Sequence, residues 1–437
     1  MLYSLIIFNF LDPYHTNKRK IINDPVHGFI GISSELIFDL ISHPFFQRLR
    51  RIKQLGVTHL VYPGATHSRF QHAIGAMHLM EMAIGVIRSK NHIISQEEEE
   101  ATLIAILLHD IGHGPFSHTL ESTIIPHMPH EHMSAFLMNE LNRQFNGKLS
   151  LAIAIFSGRY HKSFLSQLVA GQLDMDRLDY LKRDSFYTGV TEGVIGSDRI
   201  IKMLNVVDDQ LVVEAKSIYS IEKYLIARRL MYWQVYFHKT VVAAENLLAM
   251  VLKRARQLIL SGEKLFSPPS LLFFLENSLS GTTPRDLPSG TIINGEVMKN
   301  FTGLDDDDIM SAVKVWAGHK DLTLSLLAAW YTHRSLYHIE FRSTEFPALM
   351  IAQLQKEVGS KYGIPPDETD YFVFTGHISN YAYRTEDEKI RILYNNGSLA
   401  DISDVSDILN VSVLSKTVIK YFICFPKSIY SPGIYLI

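Results

Sequence analysis

Leu107-Leu108-His109-Asp110-Ile111-Gly112-His113-Gly114-Pro115-Phe116-Ser117-His118 places an adjacent histidine and aspartate at the end of an apolar run, with two further histidines close behind. Apolar flanks imply burial, and a buried His-Asp doublet is costly unless something offsets its polarity. A divalent metal ion offsets it well, because imidazole nitrogen and carboxylate oxygen both ligate Zn, Fe or Mn. For any single histidine, a core position held by hydrogen bonds is the plainer reading. The clustering argues against it here. Gly112 and Gly114 predict a turn rather than a continuing helix after the doublet.

One doublet supplies too few ligands, so partners must come from elsewhere. His72, in Ser68-Arg69-Phe70-Gln71-His72-Ala73-Ile74-Gly75, opens a predicted long helix. Asp176, in Gln172-Leu173-Asp174-Met175-Asp176-Arg177-Leu178-Asp179-Tyr180-Leu181, lies where acids alternate with apolar residues. Carboxylates buried on such a segment need a cation.

The 437 residues, 47% hydrophobic and 20% charged, suffice for two or three domains or for one large helical domain with an appendage. A formal net charge of −3 argues against a general nucleic-acid binder. Cys424 is the single cysteine, which excludes an intramolecular disulfide and a thiolate metal site and points to a reducing, cytoplasmic setting. The apolar start, Met1 to Leu11, is too short to span a bilayer and lacks a basic leader, so no membrane association is expected.

Apolar residues recur every three or four positions from about Ser33 to Leu260, with helices expected over Phe70–Ile87, Glu98–Leu108, His130–Phe145 and one long run from Ser217 to Leu260. A hairpin is expected where Asp208-Asp209-Gln210 separates two β-branched runs. Asp305 to Asp308 resemble a helix N-terminus, where negative charge meets the positive end of the dipole. After Tyr337 the runs 371–374, 390–393 and 421–425 predict strands. The expected fold is mainly α: a helical bundle with a smaller C-terminal α+β lobe. Its divisions are an N-terminal extension over 1–19, a helical domain over 20–265, a helical connecting region over 266–336 and the lobe over 337–437.

His72, then His109-Asp110, then Asp176 resembles the ordered H…HD…D signature of the HD-domain metal-dependent phosphohydrolases. The segments Lys20 to Gly28, Gln47 to Gly56 and His109 to His118 are similar to the deoxynucleoside triphosphate triphosphohydrolase (dNTPase) branch, and the similarity is dense from Lys20 to about Lys239. The resemblance implies an HD-domain helical bundle in which His72, His109, Asp110 and Asp176 hold one divalent metal, whether Fe, Mn, Zn or Mg. It implies that His113, His118 and His130 line the scissile phosphate, with His118 as general acid and Glu121 orienting it. Arg69, Arg177, Tyr180 and Arg228 would contact the phosphates, and Gln54, Leu55, Asp184 and Tyr236 the deoxyribose.

The implied reaction is attack of metal-activated water on the α-phosphate of a dNTP, giving a deoxynucleoside and inorganic triphosphate. Lys20, Asn23, Gln47 and Arg50 match part of a nucleotide activator site. Ser42, however, replaces its base-reading aspartate, which implies relaxed activator choice or activation of another kind. A homo-oligomer, dimer or tetramer, is also implied. The competing readings are another HD phosphohydrolase activity (a nucleotide phosphomonoesterase or phosphodiesterase) and a non-catalytic scaffold that senses nucleotides or binds nucleic acid.

Overall fold

Two helices and a strand hairpin carry most of the positioning. In the computed structural model, which describes residues 20–116, 129–277, 295–380, 389–407 and 418–430, helices of seven residues or more are labelled here in chain order. After the hairpin of β1 (Ile21–Asp24) and β2 (Gly28–Gly31) come α1 (Glu35–Ser42), α2 (Arg69–Ser89), α3 (Gln96–Leu108), α4 (His130–Gln144), α5 (Ser150–Phe156), α6 (Ser163–Ala170) and α7 (Met175–Thr188). Helix α2 starts at Ser68, whose N–H donates to Gln71 Oε1 at 2.8 Å. It is buried on several sides, packing against both α3 and α7. Helix α3 begins with a reciprocal cap, in which Ser95 Oγ accepts from Glu98 N and Glu98 Oε2 from Ser95 N. It ends at Leu108, and the turn foreseen from Gly112 and Gly114 follows at once.

The hairpin expected around residue 208 is present as β3 (Leu204–Val207) and β4 (Gln210–Glu214). Asp208 and Asp209 both have positive φ, 50° and 56°, as a two-residue turn matched to strand twist requires. The expected long helix from Ser217 to Leu260 is instead broken. Helix α8 (Ile218–Met231) runs into a π-helical turn over Tyr232–Tyr236, and α9 (Lys239–Leu260) leaves at a bend of 52°. Two contacts account for the break. Tyr62 Oη draws the Gln234 carbonyl into a 2.6 Å hydrogen bond, and the His238 side chain accepts from Thr240 N, restarting the helix. Among the described residues no single helix is long and apolar enough to cross a membrane.

Helices α10 (Pro269–Glu276), α11 (Gly295–Gly303), α12 (Asp306–Trp316) and α13 (Leu322–Thr332) follow. The aspartate run does start a helix: Asp305 caps α12 by accepting from Asp307 N, while Asp308 accepts from Asp305 N. Beyond Tyr337 the chain is mixed. Strands β5 (His338–Arg342), β6 (Phe374–Asn380) and β9 (Val418–Phe425) form an antiparallel sheet ordered β5-β9-β6, beside α14 (Ala348–Tyr362). Strands β7 (Arg391–Leu393) and β8 (Leu399–Asp401) instead extend the β3–β4 hairpin, with β7 parallel to β4. The run 371–374 is not a strand throughout. A 3₁₀ turn fills Pro366–Tyr371, started by the proline pair, and β6 begins only at Phe374. The fold is thus mainly α with a C-terminal α+β region, around one contiguous apolar core from Ile30 to Ile429.

Candidate active site

His72 lies in the first turn of α2, His109 and Asp110 at the end of α3, and Asp176 in the first turn of α7. Three distant segments therefore converge. His72 Nε2 stands 3.0 Å from Asp176 Oδ1 and 3.8 Å from Asp110 Oδ2. His109 Nε2 stands 3.4 Å from Asp176 Oδ1 and 3.3 Å from Asp110 Oδ1.

The opposite ring nitrogens fix the tautomers. His72 Nδ1 donates to Asp179 Oδ2 at 2.8 Å, and His109 Nδ1 to the Ile106 carbonyl at 2.6 Å. Both Nε2 atoms are buried without a hydrogen-bond partner. A lone pair on either Nε2 would repel the facing carboxylate oxygens, so this geometry calls for a cation there, a proton in the metal-free chain or a metal ion in its place. Burial opposes a proton on His72, yet the carboxylates of Asp176 and Asp179 outweigh it and lift the ring to about 10. The same contest leaves His109 at about 8. Two imidazoles and two carboxylates with orphaned, inward nitrogens fit a divalent metal of the Fe, Mn or Zn kind.

Around this centre the polar residues fall into groups. Arg69 Nη1 donates to Asp110 Oδ2 at 2.5 Å. His113 Nε2 is 3.3 Å from Asp110 Oδ1, and its ring stacks on His130 with centroids 3.7 Å apart. Burial and the neighbouring Arg69 guanidinium hold His113 at about 3, so it stays neutral. Gly112 lets α4 approach: a Cβ there would lie 2.3 Å from the His130 carbonyl oxygen, while its N–H donates to Ser134 Oγ. His118 and Glu121 lie outside the described residues.

Arg177 donates to the Gly171 carbonyl and stands 3.6 Å from Asp174. With the buried Arg228 and Tyr224 and the half-buried Tyr180, the half-buried Arg177 forms a cationic-phenolic cluster whose members interact electrostatically. Gln172 links to that cluster through Arg228 at 3.5 Å and the Tyr224 hydroxyl at 2.9 Å. Asp184 accepts from Tyr236 Oη and His67 Nε2, both at 2.7 Å. Gln54 N donates to the His67 carbonyl, while Gln54 Oε1 is buried with no hydrogen-bond partner; Leu55 beside it is half-buried. Of the activator candidates, Arg50 Nε donates to Gln47 Oε1 at 2.8 Å and its guanidinium lies over Phe70. Lys20 lies over Phe38, and Asn23 faces Phe29 across the hairpin.

Several participants carried no signal of their own. His67, Asp174 and Asp179 were unremarkable in sequence, yet each is buried against a candidate site residue. Burial raises Asp174 to about 7. The regular spacing of Asp176, Asp179 and Arg183 on one helix was the available clue.

The HD domain family matches residues 69–184, and the HD associated region matches 195–267. A solved phosphohydrolase from Bacteroides thetaiotaomicron superposes with a TM-score of 0.89 at 51% identity, covering 93% of this chain and 99% of that one. The uncharacterized protein YwfO of Bacillus subtilis is 31% identical, over 95% of this chain and 94% of its own length. The chain belongs to the HD-domain phosphohydrolase superfamily. A deoxynucleoside triphosphate triphosphohydrolase SAMHD1 homolog of Dictyostelium discoideum is 31% identical over 69% of this chain and 63% of its own length. For the human SAMHD1 enzyme the figures are 30%, 52% and 43%, so this HD-domain chain spans less than half of that protein. HD domains are metal-dependent, in agreement with the orphaned nitrogens of His72 and His109.

Proposed function

We propose that this protein hydrolyses deoxynucleoside triphosphates to a deoxynucleoside and inorganic triphosphate. The observation that carries the reading is the convergence of His72, His109, Asp110 and Asp176, with both imidazole Nε2 atoms buried and unpartnered, beside the buried Arg69 and Arg228. A divalent cation held by those four side chains would supply Lewis-acid polarisation of a phosphate oxygen and a lowered pKa for water.

The remaining work falls to the chain. Arg69, Arg177 and Arg228 bind the polyphosphate as fixed charges, with Tyr180 as a further donor. His113 and His130 present a stacked face to the α-phosphate, with His113 neutral. Water attacks the α-phosphorus and sheds a proton to solvent as the new P–O bond forms and the bond to the 5′-oxygen breaks. His118, oriented by Glu121, gives that oxygen its proton.

Gln54 and Asp184 bind the 3′-hydroxyl, Tyr236 packs against the sugar, and Leu55 excludes a 2′-hydroxyl by bulk. The unpartnered Gln54 Oε1 supports this assignment, since a buried acceptor in a polar site is best satisfied by a ligand. Our reading further places the enzyme in the cytoplasm as a homo-oligomer, with Lys20, Asn23, Gln47 and Arg50 receiving an activating nucleotide.

Incubation with each dNTP and Mn or Mg, singly and in mixtures, tests the proposal. Free deoxynucleoside and tripolyphosphate are expected in equal amounts. Release of orthophosphate or pyrophosphate would instead favour a phosphomonoesterase or phosphodiesterase.

A further inference from the structure

The β1–β2 turn reaches the ligand histidine through an unbroken chain of buried charges. Asp179 uses both oxygens fully. Its Oδ2 accepts from His72 Nδ1 at 2.8 Å and Arg183 Nε at 2.8 Å, and its Oδ1 accepts from Arg183 Nη2 at 2.9 Å and His27 Nε2 at 2.7 Å. Four donors leave this carboxylate no freedom to rotate. Arg183 in turn donates to Asp24 Oδ2 at 2.7 Å and to Asp24 Oδ1 at 3.3 Å. Asp24 Oδ1 also accepts the N–H groups of Val26 and His27, at 3.0 and 2.9 Å, so the carboxylate that pins Arg183 also shapes the turn that carries His27.

The packing is built around this chain. Gly75, one turn after His72 on α2, leaves the space the ion pair fills. A Cβ there would lie 2.1 Å from both Arg183 Nη2 and Asp179 Oδ1. The side chains of Asp24, His27, Asp179 and Arg183 are all nearly or fully buried. A buried ionic cluster is weak evidence for stability in itself, because apolar residues of like volume often serve as well. What this cluster does that apolar residues cannot is fix the His72 tautomer and aim Nε2 at the carboxylates of Asp110 and Asp176.

We propose that Asp24 and His27, on the surface hairpin, are positioning residues for the metal centre, acting through Arg183 and Asp179 on the His72 ring. The inference rests on the metal-centre reading above but not on the identity of the substrate.

The test is titration of the full-length, metal-stripped protein with Mn²⁺, read by loss of the free-ion EPR signal, for the natural chain, His27→Ala, His27→Gln and Asp24→Asn. Thermal melts of the metal-free proteins run alongside. His27→Ala and Asp24→Asn should weaken Mn²⁺ binding by about 10- to 100-fold, and His27→Gln, which keeps an N–H donor, should recover most of the loss. A purely structural role would lower the metal-free melting temperature and leave the affinity of the folded protein unchanged, which would overturn the proposal. Should Asp24→Asn fail to fold, His27→Ala carries the test, since it leaves both ion pairs of Arg183 in place. Natural chain that binds Mn²⁺ but hydrolyses no dNTP would sink the substrate assignment alone. Natural chain that binds no divalent cation would overturn both.

Discussion

Asp184 shows how much a single side chain in this site depends on its neighbours. One oxygen is held by His67 and the other by Tyr236, each at 2.7 Å. Burial, reinforced by the Asp184 charge, pushes the Tyr236 hydroxyl well above its ordinary range, so it stays a donor at working pH. Tyr236→Phe removes one charge-assisted hydrogen bond, worth about 1.5–3 kcal/mol. We therefore expect kcat/KM for dNTPs to fall about 10- to 100-fold. Steady-state kinetics on dNTP and NTP pairs should also show weaker discrimination at the sugar. The candidate ligands were legible from order alone, because a His-Asp doublet at the end of an apolar run has few bland explanations. His67, Asp179 and His27 were not. His27 meets Asp179 from 152 positions away, a distance no local pattern encodes. Asp179 and Arg183 stand i,i+4 on α7, a spacing shared with ordinary ion pairs on helix surfaces.

At the scale of elements, α3 delivers the doublet, and its start is anchored far from the chemistry. Glu98 receives Lys162 and the Tyr160 hydroxyl as well as the Ser95 N–H of its own cap. Burial opposes ionisation, but these donors outweigh it and hold the carboxyl at about 2 against an ordinary 4.5. The folded-state value is depressed, so the stabilisation is complete above pH 4.5 and disappears as pH falls towards 2. The shift corresponds to ~3 kcal/mol at most. Glu98→Gln should therefore be less stable than the natural protein at pH 7 in urea denaturation, with the gap narrowing below pH 4.5 and closing near pH 2. A gap independent of pH would show that the charge is not the source. Helix boundaries were largely legible from periodicity, as α2, α3 and α4 show. The break between α8 and α9 was not, because the Tyr62 contact with Gln234 that supports it comes from a segment 172 residues distant.

For the molecule as a whole, the connecting helices hold the turn after α3 in place. The buried Arg48 guanidinium donates to the carbonyls of Ile111, His113 and Leu304, at 2.9, 3.0 and 3.2 Å. Its burial lowers the group to about 9, still charged at neutral pH. Asp306, at the start of α12, accepts from Lys53 N and Phe116 N, so one carboxylate ties the Gln54 segment to the turn after His113. Phe116 stands at a φ of 51°, a conformation that side chains rarely adopt unless held. Arg48→Met should cost about 3 kcal/mol or more in chemical denaturation, since three buried carbonyls lose their donor. It should also lower kcat by loosening His113. The ties made through Leu304 and Asp306 span 190 residues or more, and the aspartate run promised only a helix start.

The most direct measurement pairs metal content with products. Natural protein and a His109→Ala, Asp110→Ala double variant are loaded with Mn²⁺, analysed for bound metal, and assayed for deoxynucleoside and tripolyphosphate from a dNTP mixture. Bound metal and equal release of both products are expected from the natural chain, and loss of bound metal and of both products from a variant that keeps its helical circular dichroism. A folded double variant that hydrolyses dNTPs at the natural rate would refute the proposed function.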